Sequence, residues 1–210
     1  LAMTDLQPNP PRILSGLIGL GAVLTLVVQT GVDVSIEGEN PIGSLWSQAR
    51  YFTNLMVFTV AVFFCLTWVR QGSGSSTSPI WTAAITVWIV LVGIVYHALL
   101  AATHHPEGLD IGVNLMQHTI LPIAVLLYWM RYAPKGVLEM RLPLIWLACP
   151  ILYVAYVLLR GAFDQQYPYF FLNPDKIGWP GVGAYIVGLG LLFYVAGAAL
   201  VLAGRRFRTA

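Results

Sequence analysis

Charged residues are scarce in this sequence. Asp, Glu, Lys and Arg together make up 10% of its 210 residues, whereas hydrophobic residues make up 58%. Soluble globular domains carry about 25% charged residues, so this chain lacks the polar surface that keeps a protein dissolved in water. The net charge of +2 is small and the basic residues are dispersed, so nucleic acid is not an expected partner. This composition is typical of an integral membrane protein.

Cysteine is scarce as well, and histidine and acidic residues form no strong metal motif. The two cysteines, Cys65 and Cys149, lie inside apolar runs, which predicts packing rather than a disulfide or a redox role. The pair His104–His105 with Glu107 and Asp110 matches no compact zinc pattern. We therefore predict neither a cofactor nor a metal site.

Six apolar stretches are long enough to cross a bilayer, which takes about 20 mainly apolar residues. They lie near residues 12–30, 48–69, 80–102, 112–131, 143–162 and 180–204. Each is uniformly apolar, without the alternating polarity of barrel strands, so each is predicted to be a helix. The chain, 1–210, is thus predicted to be one all-α domain, a bundle of six transmembrane helices.

The basic residues predict the orientation of this bundle. Three of them, Arg50, Arg160 and Lys176, fall on one side. Eight fall on the other side, namely Arg12, Arg70, Arg131, Lys135, Arg141, Arg205, Arg206 and Arg208. Under the positive-inside rule the richer side is cytoplasmic. We therefore expect both termini in the cytoplasm and a location in the cell membrane.

Three polar side chains are predicted to lie at one depth within the membrane. At a rise of 1.5 Å per residue, Thr53, His97 and His118 fall about 7–9 Å below the outer surface on three different helices. Asn114 precedes His118 by four residues and so shares its helical face. An Asn/His pair facing lipid would be very costly, so this face is predicted to line a cavity or the bundle interior.

Each polar residue also has a purely structural interpretation. The Thr53 hydroxyl can bond back to the carbonyl of Ala49, as membrane threonines often do. His97 can be a hydrogen-bonded packing residue between helices. Arg50 and Arg160, predicted about 3 Å below the outer rim, can extend to lipid head groups.

Three short motifs carry a resemblance to a known family. They are RYFTNLMVF (50–58), NLMQHTILPI (114–123) and YPYFFLN (167–173). With six spans in register, the sequence resembles the androgen-induced-gene and androgen-dependent TFPI-regulating proteins and their six-pass microbial relatives. The resemblance implies a membrane-embedded threonine hydrolase of fatty acid esters of hydroxy fatty acids, with Thr53 and His118 as the catalytic pair.

These residue types suit the implied chemistry. A threonine hydroxyl becomes a good nucleophile when a neighbouring imidazole removes its proton. Asn114 would orient the ring of His118 or donate to the oxyanion. Arg50 or Arg160 would bind the free carboxylate of the lipid substrate. His97 would line the pocket or share in proton transfer.

Two other classes of function fit the same residues. The polar layer can be the recognition pocket of a non-enzymatic protein that binds or transports a lipid or small molecule. Alternatively, His97 and His118 can ligate a haem between two helices. A loss of ester turnover in Thr53→Ala and His118→Ala distinguishes the hydrolase, and a Soret band identifies a haem protein.

Overall fold

The computed structural model describes residues 12–36, 38, 40–72, 78–133, 135 and 138–206. Within these ranges the chain is helical and contains no strand. The helices are α1 (Arg12–Ile36), α2 (Pro41–Gln48), α3 (Phe52–Gly72), α4 (Pro79–Leu100), α5 (Leu109–Tyr132), α6 (Leu142–Asp164) and α7 (Pro174–Arg206). All of them except α2 are long and apolar enough to cross a membrane. The prediction of an all-α membrane protein with six spanning helices is confirmed.

The helix ends differ from the predicted spans in three places, the first of which is α1, which ends at Ile36 rather than near residue 30. The second span begins at Phe52 rather than near residue 48, because the separate short helix α2 precedes it. Asn40 caps α2 by accepting a hydrogen bond from the N–H of Gly43 at 2.9 Å. The sixth span begins at Pro174, but Gly178 interrupts it with φ 68°. Only glycine adopts this conformation without strain, so the predicted span near 180–204 corresponds to the part after the kink.

Two helices contain π-turns, and each π-turn contains a histidine of the predicted polar layer. The last turn of α4 is a π-turn over Tyr96–Leu100, which includes His97. The middle of α5 is a π-turn over Met116–Ile120, which includes His118. π-Turns are rare and occur frequently at functional sites.

Helix α4 lies at the centre of the bundle. It contacts α3, α5, α6 and α7, and its side chains form much of the core. Gly93 allows α4 to approach α5 closely, since a Cβ atom there would lie 2.7 Å from the carbonyl oxygen of His118. Side chains such as Leu17, Leu152 and Val195 are exposed on the outer helices. In a membrane these apolar surfaces face lipid.

The six spans place both ends of the described chain on the same side of the bundle. The opposite side, called the distal side below, is formed by the end of α1, by α2, by the starts of α3, α5 and α7, and by the ends of α4 and α6. The predicted polar layer lies beneath this distal side.

Candidate active site

Thr53 and His118 meet beneath the distal side. Thr53 is the second residue of α3, and His118 lies in the π-turn of α5. The Thr53 Oγ1 and His118 Nε2 atoms are 3.4 Å apart. Both side chains are buried, with exposed fractions of 9% and 8%. The structure therefore brings together the hydroxyl and the imidazole that the sequence placed on separate helices.

The hydrogen bond made by Nδ1 of His118 shows which ring nitrogen carries the proton. His118 Nδ1 lies 3.1 Å from the backbone carbonyl oxygen of Asn114. A carbonyl oxygen only accepts, so Nδ1 donates the hydrogen bond and Nε2 of the neutral ring carries a lone pair. That lone pair faces the Thr53 hydroxyl. Nε2 can therefore accept the proton of that hydroxyl, and Asn114 orients the ring through its backbone rather than through its amide.

The Thr53 hydroxyl does not make the hydrogen bond that most other described threonines make. Six threonine hydroxyls donate to the carbonyl four residues earlier at 2.7–2.9 Å, those of Thr25, Thr30, Thr59, Thr67, Thr82 and Thr86. This is the bond that the structural interpretation expected for Thr53. Helix α3 begins at Phe52, so Thr53 has no full helical turn before it. Its hydroxyl is directed to His118 instead.

Tyr96 covers one face of the His118 ring. The two rings stack with centroids 3.7 Å apart and planes 15° apart. The Tyr96 hydroxyl lies 3.2 Å from Nδ1 of His104, and the side-chain amide of Asn114 lies 3.0 Å from the same nitrogen. An amide nitrogen only donates, so His104 Nδ1 accepts from Asn114, and the proton of the neutral His104 ring is on Nε2, 4.0 Å from Asp110. The sequence pattern suggested His104 only as a candidate metal ligand and gave no signal for Tyr96.

Two cavities adjoin at Thr53, and one of them also borders His118. The polar chamber, of about 500 Å³, lies towards the distal side and is lined by residues that include Gln48, Asn54, His104, Asp110 and His118. The apolar chamber, of about 510 Å³, lies deeper and is lined by residues that include Phe52, Leu91, Val154, Leu189 and Phe193. Thr53, Tyr96, Leu100 and Tyr169 line both chambers. Each volume is in the range of ligand-binding pockets.

Tyr169 belongs to the YPYFFLN motif and also lies at the junction of the chambers. Its hydroxyl interacts with the side chain of Thr53 and with the backbone of Phe52 and Thr53 at the start of α3. Burial raises the pKa of Tyr169, so the hydroxyl is neutral and can donate a hydrogen bond. The motif was noted in the sequence, but no role for Tyr169 followed from it.

Arg50 and Arg160 are buried but do not reach the chambers. Arg50 binds Asp164 with two hydrogen bonds of 2.9 and 2.8 Å and donates to the carbonyl of Gln166 at 2.6 Å. Arg160 donates to the carbonyl of Trp46 at 2.9 Å and stacks over its ring at 4.0 Å. The Arg160 Nε atom also lies 3.5 Å from Asp164. Arg160 connects the end of α6 to α2, Arg50 connects it to the link between α2 and α3, and neither arginine lines a chamber.

His97 lies outside both chambers, contrary to the expectation that it lines the pocket. Its side chain is exposed, and its Nε2 atom lies 3.1 Å from the hydroxyl oxygen of Thr119. Successive helical residues point about 100° apart, so when Tyr96 faces the chamber His97 faces away. His97 and His118 therefore face different spaces, an arrangement that does not suit the ligation of one haem.

The fold and the site together define a class of protein. It is a membrane protein of six spanning helices, with a buried Thr–His pair where a polar and an apolar chamber meet. No protein-family model, no curated protein and no solved structure matches the chain. A more particular assignment therefore depends on the geometry of the site and on the three sequence motifs.

Proposed function

We propose that this protein is a lipid ester hydrolase of the cell membrane, with Thr53 as the nucleophile and His118 as the general base. One observation carries the proposal: the acceptor nitrogen of a buried imidazole faces a buried threonine hydroxyl at 3.4 Å, at the junction of two chambers. A nucleophile, a base hydrogen-bonded to it and a third group that orients the base form the usual arrangement of covalent catalysis.

The reaction proceeds in two halves. Thr53 Oγ1 attacks the ester carbonyl carbon while its proton moves to His118 Nε2. The tetrahedral intermediate then collapses, and the leaving alkoxide takes that proton, which leaves an acyl-threonine and a free alcohol. In the second half, a water molecule loses a proton to His118 and attacks the acyl carbon. Thr53 leaves with the proton, so that a fatty acid is released and the free hydroxyl is restored.

The carbonyl of Asn114 takes the place that a carboxylate has in a Ser-His-Asp triad. It fixes the tautomer of His118 and stabilises the imidazolium that forms during the reaction, as the carboxylate does. A neutral carbonyl stabilises that cation less than a carboxylate would. The Tyr96 ring stacks on the imidazole and so restricts the tilt of the imidazole plane.

The chambers suit the two ends of an ester with one long chain. The apolar chamber is suited to the acyl chain, and the polar chamber is suited to the alcohol part. The Tyr169 hydroxyl, which interacts with Thr53, is suited to donate a hydrogen bond to the oxyanion. The motif resemblance favours fatty acid esters of hydroxy fatty acids as substrates.

Hydrolysis by the purified protein in lipid nanodiscs tests this function. We expect Thr53→Ala and His118→Ala to lower ester turnover by at least about 10²-fold, because each removes a group that takes part in the chemical step. His97→Ala is the matched control, since it removes an imidazole of similar depth that lies outside the chambers, and it should retain turnover. Undiminished turnover in both Thr53→Ala and His118→Ala would contradict the mechanism.

Lipid binding without turnover is the alternative, and the pair of adjoining polar and apolar chambers favours it as the second candidate. In that case the wild-type protein would bind a labelled amphipathic lipid and cleave no ester. Thr53→Ala and His118→Ala would then weaken binding with no activity to lose. Parallel binding and hydrolysis assays on the same preparations separate the two functions.

A further inference from the structure

The polar chamber is rich in neutral hydrogen-bonding groups. Its lining includes five side-chain amides, those of Gln29, Gln48, Asn54, Asn114 and Gln117. Ser47, Tyr51 and Thr103 add hydroxyl groups to the wall. No lysine or arginine appears among the lining residues in the part of the chain that the structure describes. The fixed charges on the wall are those of two carboxylates, Asp33 and Asp110.

The buried carboxylate of Asp33 is already hydrogen-bonded within the protein, whereas Asp110 is partly exposed. Asp33 is buried and accepts hydrogen bonds from Gln29 at 2.8 Å, Ser44 at 2.7 Å and Gln48 at 3.0 Å. Asp110, in the first turn of α5, has an oxygen 4.0 Å from Nε2 of His104. The wall thus presents carboxylate and amide oxygens as acceptors, together with amide N–H groups that donate within the protein, as Gln48 does to Asp33 and Gln117 to Asn54.

An anionic head group would be poorly stabilised here. The two arginines of the distal side, Arg50 and Arg160, are held by Asp164 and do not line the chamber. A ligand carboxylate would therefore lie beside Asp33 and Asp110 without a cationic partner, and like charges in a partly desolvated site repel. Hydroxyl groups, in contrast, both donate to carboxylate and amide oxygens and accept from amide N–H groups.

We propose that the alcohol part of the substrate is a neutral polyol, as in a monoacylglycerol, rather than a chain that carries a free carboxylate. This inference rests on the proposed hydrolase function and deepens it. The acyl chain occupies the apolar chamber, the ester carbonyl lies beside Thr53, and the hydroxyl groups of the alcohol bind the amides of the polar chamber. A neutral polyol ester differs from the anionic hydroxy fatty acid esters that the motif resemblance favours.

Three esters that share one oleoyl chain test this inference. The neutral ester is 1-oleoylglycerol. The anionic ester is that of oleic acid with hydroxystearic acid, and the cationic ester is oleoylcholine. For the full-length protein in nanodiscs, we expect kcat/KM for 1-oleoylglycerol to exceed that for the anionic ester by at least about tenfold. The kcat/KM for 1-oleoylglycerol should also exceed the kcat/KM for oleoylcholine. A value for either charged ester that equals or exceeds the neutral one overturns the inference and leaves the hydrolase function standing. Cleavage of none of the three overturns both.

A substitution in the chamber tests the role of charge directly. Asp110→Asn keeps the shape of the side chain and removes its charge, so it should raise the ratio of kcat/KM for the anionic ester to that for 1-oleoylglycerol several-fold. Asp175→Asn is the matched control, because Asp175 is exposed at the start of α7 and lies outside the chamber lining. It should leave the ratio unchanged. An unchanged ratio in Asp110→Asn would contradict the proposed repulsion.

Discussion

The packing of α4 against the π-turn of α5 makes a single methyl group a strong perturbation of the site. A Cβ atom on Gly93 would lie 2.7 Å from the carbonyl oxygen of His118 and 3.3 Å from the side chain of Pro122. Carbon and oxygen atoms in close contact are usually about 3.4 Å apart, so Gly93→Ala must separate the two helices locally by about 0.7 Å. The atom displaced belongs to His118 itself.

The expected loss of activity follows from this displacement. Thr53 Oγ1 and His118 Nε2 are already 3.4 Å apart, near the upper limit of a hydrogen bond. A misplacement of about 1 Å can cost about 10²-fold in rate, so we expect Gly93→Ala to lower kcat by about ten- to a hundredfold. Overpacking should also destabilise the fold by about 1–3 kcal/mol.

Ester turnover and thermal unfolding in nanodiscs measure the two effects. Gly112→Ala is the matched control, since Gly112 lies on α5 and a Cβ atom there meets nothing within 4 Å. Alanine favours a helix over glycine, so this variant should keep its activity and its stability. Wild-type kcat and unfolding temperature in Gly93→Ala would refute the close packing of α4 on the π-turn.

Two further predictions concern the apolar chamber and the ion pair. Gly190 lines the apolar chamber and has open space at its Cβ position, so Gly190→Leu should shorten the preferred acyl chain without unfolding the protein. Gly183→Leu, outside the chamber, should leave the preferred chain length unchanged. Activity against esters of increasing chain length measures this preference, and the same preference in Gly190→Leu as in the wild type contradicts the prediction. Arg50→Ala should lower the unfolding temperature by several degrees because it breaks a bidentate bond to Asp164. Arg141→Ala removes an exposed ion pair and should leave the unfolding temperature unchanged. Equal shifts of the unfolding temperature in the two variants would contradict a structural role for Arg50.

The six spans were predictable because lipid leaves the backbone few choices. A chain in hydrocarbon must satisfy its backbone hydrogen bonds within the segment, so long apolar runs become helices. Helix α2 was not predicted, since its sequence PIGSLWSQ is short and adjoins the apolar run of α3. The kink at Gly178 was missed for a similar reason, because hydropathy does not report φ and ψ.

The site was predictable in part. Depth along the helices placed Thr53 and His118 in one layer, and the motif resemblance paired them. The role of the Asn114 carbonyl depends on backbone geometry that no side-chain pattern encodes. The position of His97 was missed because the chamber is faced by the preceding residue, Tyr96, and His97 points in another direction, towards Thr119. The role of Arg50 was missed because its partner, Asp164, lies 114 residues away in the chain.

The most direct test of the account is covalent labelling of the nucleophile. A fluorophosphonate probe should react with Thr53, which mass spectrometry would find in the tryptic peptide of residues 51–70, between Arg50 and Arg70. His118→Ala should abolish this labelling because the hydroxyl loses its base, while His97→Ala should preserve it. A probe that labels another residue, or a Thr53 that reacts equally well without His118, would contradict a catalytic Thr–His pair.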